Sequence, residues 1–180
     1  MQLLPQSGIE LNYFDGTDTS SGLLDYRSEN CTVVPAIEKA IDFVSQANRT
    51  TVKFDSNSPQ RIEQPSYEPM IIRELIVNAF MHRDWSIFGQ RIRLNLFHDR
   101  LELFSPGKLP NTLNLTRALS GISYYRNPII SQMLKDYGLA DRIGRGLQKV
   151  VNFHREHQLP PPLFEADIAF FRVTLYNANQ

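Results

Sequence analysis

Hydrophobic and polar positions alternate at the start of the chain and then recur at helical spacing. Residues 8–14 and 23–29 show the alternation typical of strands, and they flank a polar turn that contains glycine. Apolar residues recur every three or four positions behind Pro35, which predicts a helix over residues 35–48. The chain is therefore expected to begin with two strands and a helix.

The rest of the sequence continues to mix strands with helices. The predicted elements are a hairpin over 51–64, helices over 65–84, 127–138 and 144–158, strands over 91–97 and 100–104, and a last pair of short strands ending in 170–176. A loop rich in Pro, Gly and Asn follows residue 104. This order predicts an α/β or α+β sandwich, with helices on one face of a mixed or antiparallel sheet. Residues 1–64 form its N-terminal strand-helix-hairpin part and residues 65–180 form the remainder, with both parts expected in one compact domain.

Composition limits the class of protein. The chain has 180 residues, of which 42% are hydrophobic, enough for one domain with a substantial core. Its 19 basic residues balance 19 acidic ones, which argues against non-specific binding of nucleic acid. The start resembles no signal peptide and no apolar run is long enough to cross a bilayer, so we expect a cytoplasmic protein without membrane contact. The single Cys31 agrees with a reducing compartment and excludes internal disulfides.

The helix over 65–84 carries a narrow polar strip on an otherwise apolar surface. Glu74, Asn78 and His82 follow one another at intervals of four and span about 80° of the helix circumference. A helix that is apolar on its other sides is packed there, so the strip is expected to face a cavity. The alternative is that Glu74 meets an arginine, Asn78 caps a loop and His82 is a satisfied core histidine.

Two glycine-bearing loops follow this helix. Ser105 and Gly107 come directly after a predicted strand, and Gly144 and Gly146 open a predicted helix, where free N–H groups and the helix dipole favour phosphate. A glycine pair before a helix is by itself a weak signal, equally consistent with a tight turn. A polar strip facing mobile loops is one way to assemble a nucleotide site with bound metal.

Four segments read together resemble one bacterial family. They are IRELIVNAFMHRDWS (72–86), DRLELFSPGKLP (99–110), RNPIISQMLKDYGLADRIGRGL (126–147) and the terminal FRVTLY (171–176). The family is the C-terminal module of proteins described as RecG-related ATP-dependent DNA helicases or as transcriptional regulators, a divergent branch of the GHKL ATPase superfamily. Gyrase, mismatch-repair ATPases and sensor histidine kinases share the superfamily fold. The resemblance implies a Bergerat-like mixed sheet backed by helices, with ATP between a helix and a loop.

The resemblance also implies roles for individual residues. Glu74 is similar to the glutamate that acts as general base on the attacking water, and Asn78 to the asparagine that holds Mg²⁺. These roles suit their chemistry, because a carboxylate accepts a proton and an amide oxygen binds a hard cation without titrating. His82 and Arg83 belong to the family's HRD-like string, in which Arg83 either approaches a phosphate or closes a surface ion pair.

The chain departs from the superfamily pattern at both glycine loops. Ser105, Pro106 and Gly107 stand where the superfamily has the aspartate-glycine box that recognises the adenine amino group, so adenine specificity is not implied. Arg145 stands between Gly144 and Gly146, where the family usually has a small hydroxyl residue. Arg145 either grips a phosphate or fills space that a nucleotide needs.

The chain lacks the sequence features of a helicase motor. It contains no GxxxxGK[ST] loop, so strand separation by this chain is not expected. In the resembling proteins the module usually follows a Schlafen AlbA-type domain, which would supply the DNA contacts. This sequence does not include such a domain. We therefore expect a truncated product of a longer protein, which contacts DNA only through the absent domain.

The leading hypothesis is therefore a regulatory module that binds ATP with Mg²⁺, is at most a weak ATPase, and passes nucleotide-dependent ordering to a DNA-binding domain or to a homodimer partner. One alternative is a degenerate dimerisation or protein-interaction scaffold in which Glu74 and Asn78 satisfy each other. Another is a DNA-binding accessory domain.

Two further patterns favour structural roles. Residues like those at 124–127 more often pack against neighbouring residues than stack on a base. A pair such as His154 and His157 more often lies on a solvated helix face than binds a metal.

Overall fold

The computed structural model describes residues 4–48, 50–54, 61–109, 114–120, 124–140 and 146–177. After a 3₁₀ turn at Pro5–Ser7, the elements in chain order are β1 (Ile9–Asp15), β2 (Gly22–Glu29), α1 (Val33–Ala47), β3 (Thr50–Phe54), β4 (Arg61–Pro65), α2 (Pro69–His82), β5 (Ile92–Leu96), β6 (Arg100–Pro106), α3 (Leu115–Leu119), α4 (Pro128–Asp136), α5 (Gly146–Glu156), β7 (Leu163–Ala166) and β8 (Phe170–Tyr176). Among these described ranges no helix combines the length and the apolar character that a membrane span requires.

Six strands form the main sheet, in the order β2-β1-β5-β6-β8-β7. The β1–β5 pair is parallel and the other four pairs are antiparallel, so the sheet is mixed. β3 and β4 form a separate antiparallel hairpin. Because β1 pairs with β5, one sheet joins strands from residues 1–64 and residues 65–180. The predicted mixed sheet with helices is confirmed.

The two faces of the sheet differ in burial. On β5 and β6, alternate residues such as Leu94, Leu101 and Leu103 are buried in the core beside α1 and α2. Their neighbours Arg93 and Glu102 point to the opposite face, as the strand period of two requires. The packed helices lie on the buried face, since α2 contacts α1, α4, α5 and β6.

Helix α2 is the centre of the core. Eight of its apolar side chains are buried: Ile71, Ile72, Leu75, Ile76, Val77, Ala79, Phe80 and Met81. Burial of each of the larger side chains contributes roughly 1.5–3 kcal/mol of hydrophobic free energy. Pro69 occupies the first turn, where a missing N–H costs no hydrogen bond, and the Arg83 N–H closes the last turn on the Ala79 carbonyl at 3.0 Å.

Several observed boundaries differ from the predicted ones by a few residues; α2, for example, begins at Pro69 rather than at Pro65. α1 begins at Val33, before Pro35, so this proline lies inside the first turn rather than at its first position. The loop predicted after β6 contains the short helix α3, whose first turn is capped by Asn114 through a bond from the Arg117 N–H to Oδ1 at 2.9 Å.

Candidate functional site

The polar strip of α2 faces a cavity, as predicted. The cavity has a volume of about 90 Å³ and is lined by all three strip residues, Glu74, Asn78 and His82. Each of the three side chains is half-buried. The strip therefore lies beside vacant space rather than in bulk solvent or sealed against neighbouring chain.

Glu74 and Asn78 form a hydrogen-bonded pair at one end of the cavity. The Asn78 Nδ2 group donates to the Glu74 backbone carbonyl at 2.8 Å and to Glu74 Oε1 at 3.1 Å. The spacing of four residues places the two side chains one above the other on the helix surface. The carboxylate thus accepts one bond from the amide and keeps further lone pairs for other donors.

The first residue of α5 lies directly against this pair. A Cβ atom on Gly146 would stand 2.2 Å from Asn78 Nδ2 and 2.3 Å from Glu74 Oε1, closer than any side-chain carbon can approach. With any other residue at this position, the ends of the Glu74 and Asn78 side chains or α5 itself would have to shift. The start of α5 carries free N–H groups and the positive end of the helix dipole, which favour a carboxylate or a phosphate at this position.

His82 lines the same cavity as a neutral imidazole. Burial, with a smaller effect of the Arg126 charge, lowers the pKa of His82 to about 4. The guanidinium of Arg126 also donates to the His82 backbone carbonyl at 3.2 Å. At neutral pH this ring offers one donor and one acceptor and no charge.

The end of β6 forms another wall of the cavity. The buried Ser105 hydroxyl donates to the Ala79 carbonyl on α2 at 3.2 Å. Gly107 has a φ of 103°, and a Cβ there would meet the Asp84 Cβ at 2.4 Å. Its N–H donates to the Ala169 carbonyl at 2.7 Å, which fixes the loop after β6 against the β7–β8 turn.

The structure corrects the prediction for Arg83. This side chain is fully buried and does not line the cavity, so neither a phosphate contact nor a surface ion pair is its role. Its guanidinium donates to the carbonyls of Ile87 and Gln90, each at 2.9 Å, and to that of Gln6. It also stacks over Trp85 at 4.7 Å, and burial lowers its pKa to about 10. Arg83 thus holds the turn after α2 against the N-terminal segment.

Two other predicted residues, Gly144 and Arg145, lie outside the described residues. The two alternatives for Arg145 therefore stay predictions.

The histidine pair of α5 differs in part from its predicted solvated face. His154 is buried and its Nδ1 lies 2.8 Å from the Val150 carbonyl, whereas His157 is exposed and stacks on Phe153. In the described ranges, no three His, Cys, Asp or Glu side chains are grouped closely enough to hold a metal ion.

Arg126 and Asn127 shape the site in a way that sequence reasoning missed. The Asn127 Nδ2 group donates to the carbonyls of Met81 and Arg83, both at 2.9 Å, and so caps the C-terminal end of α2. Arg126 joins that end to the loop after β6 by donating to the Lys108 carbonyl. In the sequence, an asparagine before a proline indicates a cap at the start of α4. It does not indicate that Asn127 caps the end of α2.

Aromatic and basic side chains complete the cavity wall. Lys108, Tyr124 and Tyr125 line the cavity, and the first two are exposed. The Lys135 ammonium lies 4.2 Å from the centre of the Tyr125 ring. The remaining lining is mostly apolar: Leu75, Ala79, Met81, Leu103, Leu109, Ala118, Ala140, Leu147, Phe171 and Val173. The cavity is therefore mostly apolar, with polar groups at the Glu74–Asn78 pair and at His82, Ser105 and Lys108.

Comparison with known families supports the resemblance. Residues 89–175 match the family model described as "Putative ATP-dependent DNA helicase recG C-terminal", an HATPase-like family. This segment is thus similar to a RecG-related, HATPase-like module. The matched segment contains the β6 end and the start of α5, whereas Glu74 and Asn78 precede it.

A solved structure supports the fold of the HATPase-like module. The DIP2311 protein from Corynebacterium diphtheriae is similar with a TM-score of 0.85 and 22% sequence identity, over 97% of this chain and 35% of that one. At this identity the similarity shows the fold alone, and the chain spans about a third of the length of that protein. No curated protein matches the sequence.

Proposed function

We propose that this chain is the nucleotide-binding regulatory module of a bacterial RecG-related protein, and that it binds ATP with Mg²⁺ in the cavity beside α2. The observation that carries the proposal is that one cavity contains the Glu74–Asn78 pair, the start of α5 and the end of β6. These are three of the four segments that carry the family resemblance. The HATPase-like family supports ATP as the nucleotide.

The polar end of the cavity suits phosphate groups. The start of α5 offers free N–H groups and a positive dipole at Gly146, which lies against the Glu74–Asn78 pair. Lys108 adds a mobile positive charge at another wall of the cavity. Phosphate oxygens would replace water as the acceptors of these N–H groups when the nucleotide binds.

The residues fit a cation that arrives with the nucleotide. Mg²⁺ is commonly held by one or two protein oxygens together with phosphates and waters. Asn78 uses its amide nitrogen in the bond to Glu74, so its amide oxygen is not consumed by that pair. Asn78 would hold the ion through this oxygen, with the Glu74 carboxylate beside it. Bound there, Mg²⁺ would neutralise phosphate charge.

The apolar walls suit a planar base. Leu103, Phe171 and Val173 come from the sheet, and Tyr125 comes from the segment before α4. The Ser105 hydroxyl proton is committed to the Ala79 carbonyl, so its oxygen can offer only lone pairs to the cavity. Such an acceptor suits an exocyclic amino group but provides less discrimination than a carboxylate. We therefore expect a weaker preference for adenine than in the wider superfamily.

Hydrolysis is expected to be slow or absent. Glu74 could accept a proton from an attacking water, yet its Oε1 already accepts the Asn78 amide and lies against Gly146. A water would have to enter this contact to be activated. The ordering of the segments around a bound nucleotide, rather than turnover, is the signal that we propose for regulation, and no helicase activity of this chain is part of it.

A second candidate function rests on the same pair. Glu74 and Asn78 satisfy each other and are covered by α5, which is what a degenerate scaffold without nucleotide would also show. In that case α2 and α5 are locked together and the cavity holds only water. Binding measurements separate the two candidates.

The test is thermal unfolding and calorimetry of the chain with ATP, ADP and GTP, each with and without Mg²⁺. We expect ATP with Mg²⁺ to raise the melting temperature, and Asn78→Asp to abolish the rise because a second carboxylate beside Glu74 repels phosphates and removes the amide donor. Asn152→Asp adds the same charge on α5 outside the cavity lining and should keep the rise. No shift at millimolar nucleotide would favour the scaffold.

A further inference from the structure

The two edges of the main sheet differ in how they are protected. β7 has four residues and follows Pro160, Pro161 and Pro162, so this edge is short and begins next to residues that cannot donate backbone bonds. β2 at the other edge has eight residues and contains neither proline nor lysine. Within the described part of the chain, β2 pairs only with β1. A bulge at Leu24 interrupts the pairing with β1, so residues 25–29 are the regular part of this edge that can pair with another strand.

The β2 edge also exposes large apolar side chains. Leu23 is 50% exposed, Leu24 54% and Tyr26 55%. Asp25 lies between Leu24 and Tyr26, and Arg27 follows Tyr26. Their side chains are about two-fifths exposed and form an ion pair at 2.8 Å. Arg27 also donates to Gln46 at 3.0 Å, so both charges lie on the α1 side of the sheet. The edge thus carries three charges beside its apolar side chains, since Glu29 at its end is paired with Lys39 of α1.

The order of these charges makes β2 complementary to itself. In an antiparallel pair of β2 strands centred on Tyr26, Asp25 stands opposite Arg27 of the partner subunit, and Arg27 stands opposite Asp25 of the partner subunit. Opposite charges in directly facing positions stabilise a strand pair, and a pair of tyrosines faces each other at the centre.

Other registers lack this match. A pair centred on Asp25 or on Arg27 places like charges opposite each other, and a slip by one residue turns the apolar side chains to the wrong face. A pair centred on Ser28 would set Arg27 opposite Glu29, but Glu29 is already paired with Lys39 of α1. The register centred on Tyr26 joins Asp25 to Arg27 twice and places Leu23 opposite Glu29. We propose that β2 is a self-association edge, through which two copies of this chain join their sheets by antiparallel β2–β2 pairing centred on Tyr26. This interface is isologous, and it keeps the helices of both copies on the same face of one continuous sheet.

Charge reversal tests the register. Light scattering and sedimentation over a range of concentrations should show the 20.7 kDa chain in equilibrium with a particle of twice that mass. Arg27→Asp places acidic residues opposite each other and Asp25→Arg places basic residues opposite each other, so each variant alone should be monomeric. When the two variants are mixed, every facing pair is again of opposite sign, and the dimer should return as a heterodimer.

The controls separate this edge from other causes. Arg155→Asp makes the same charge change on exposed α5 and should leave the dimer intact. Thermal unfolding of both β2 variants checks that each remains folded, and rescue on mixing cannot arise from unfolded chains. A wild-type chain that stays monomeric up to its solubility limit overturns the proposal. So does a dimer that persists in Arg27→Asp, or two folded variants that stay monomeric after mixing. None of these readouts depends on nucleotide binding.

Discussion

At the scale of single residues, two glycines contribute to the geometry of the site as much as the polar side chains do. Gly146 permits α5 to contact Glu74 and Asn78, and Gly107 permits the loop after β6 to pass Asp84. Both contacts join segments that are far apart in sequence. The chemistry of the polar strip therefore relies on two glycines that carry no functional group.

Gly146→Ala is expected to destabilise the protein. The added Cβ would stand 2.2–2.3 Å from the polar atoms of Asn78 and Glu74, so α5 must shift or the pair must separate. Overpacking of this kind costs roughly 1–3 kcal/mol, measurable by urea unfolding. Gly89→Ala is the matched control, because a Cβ there meets nothing within 4 Å and should change the stability by less than about 0.5 kcal/mol. Equal stability of the two variants would contradict the close contact.

His82 is expected to make the stability depend on pH. Its pKa is about 4 in the folded protein and near 6.5 in the unfolded chain, so between these values the unfolded state binds more protons. The stabilisation is present above pH 6.5 and is lost as the pH falls towards 4, by up to about 3 kcal/mol. Unfolding of the wild type and of His82→Gln across this range tests it, since the variant should lose this part of the slope. An unchanged slope would mean that the pKa of His82 is the same in the folded and unfolded states.

At the scale of elements, the ends of helices form much of the cavity wall. α2 ends under Asn127, whose amide donates to two of its last carbonyls, and α5 begins against the polar strip of α2. Arg126 then ties the end of α2 to the loop after β6. Three separate segments are thereby fixed around one cavity.

Asn127→Ala is expected to loosen the end of α2. The carbonyls of Met81 and Arg83 would each lose a hydrogen bond, at a total cost of about 1–3 kcal/mol. The midpoint of urea unfolding should fall without a change in its denaturant dependence. Asn152→Ala removes an exposed bond to Arg155 and serves as the control. If both variants unfold at the same midpoint, Asn127 does not hold this helix end.

At the scale of the whole molecule, a ligand in this cavity would be coupled to global stability. The cavity lies between α2, the centre of the core, and segments from β6, α3, α4 and α5. A ligand that binds only the folded chain adds RT ln(1 + [L]/Kd), about 2.7 kcal/mol at one hundred times Kd. Nucleotide binding should therefore be visible as a rise in unfolding temperature of the entire chain.

Glu74→Gln is expected to separate binding from hydrolysis. The amide has the same shape and can still accept from Asn78, but it cannot take a proton from water. The thermal shift with ATP and Mg²⁺ should persist in this variant, while any phosphate release falls to background. A variant that hydrolyses ATP at the wild-type rate would exclude Glu74 as the base. Loss of the shift would instead assign Glu74 to binding.

Much of the fold was predictable because its signals are local. Periodicity of two and of 3.6 positions located nearly all strands and helices, and the spacing of Glu74, Asn78 and His82 placed them on one side of α2. The family resemblance pointed to the same helix and loops. α3 was missed because a single turn of five residues shows no period. Arg83 was misassigned because its neighbours in sequence do not reveal that three carbonyls surround it.

The sequence by itself determined the succession of strands and helices, hence a sheet with helices on one face, and the presence of one polar strip on an apolar helix. These follow from side-chain period and turn chemistry, which depend on residues within one or two turns of each other. Only the tertiary structure decided that the strip faces a cavity, that Gly146 contacts it and that β2 forms an edge of the sheet. Such features arise from packing between distant segments, and packing depends on distances that no local pattern contains.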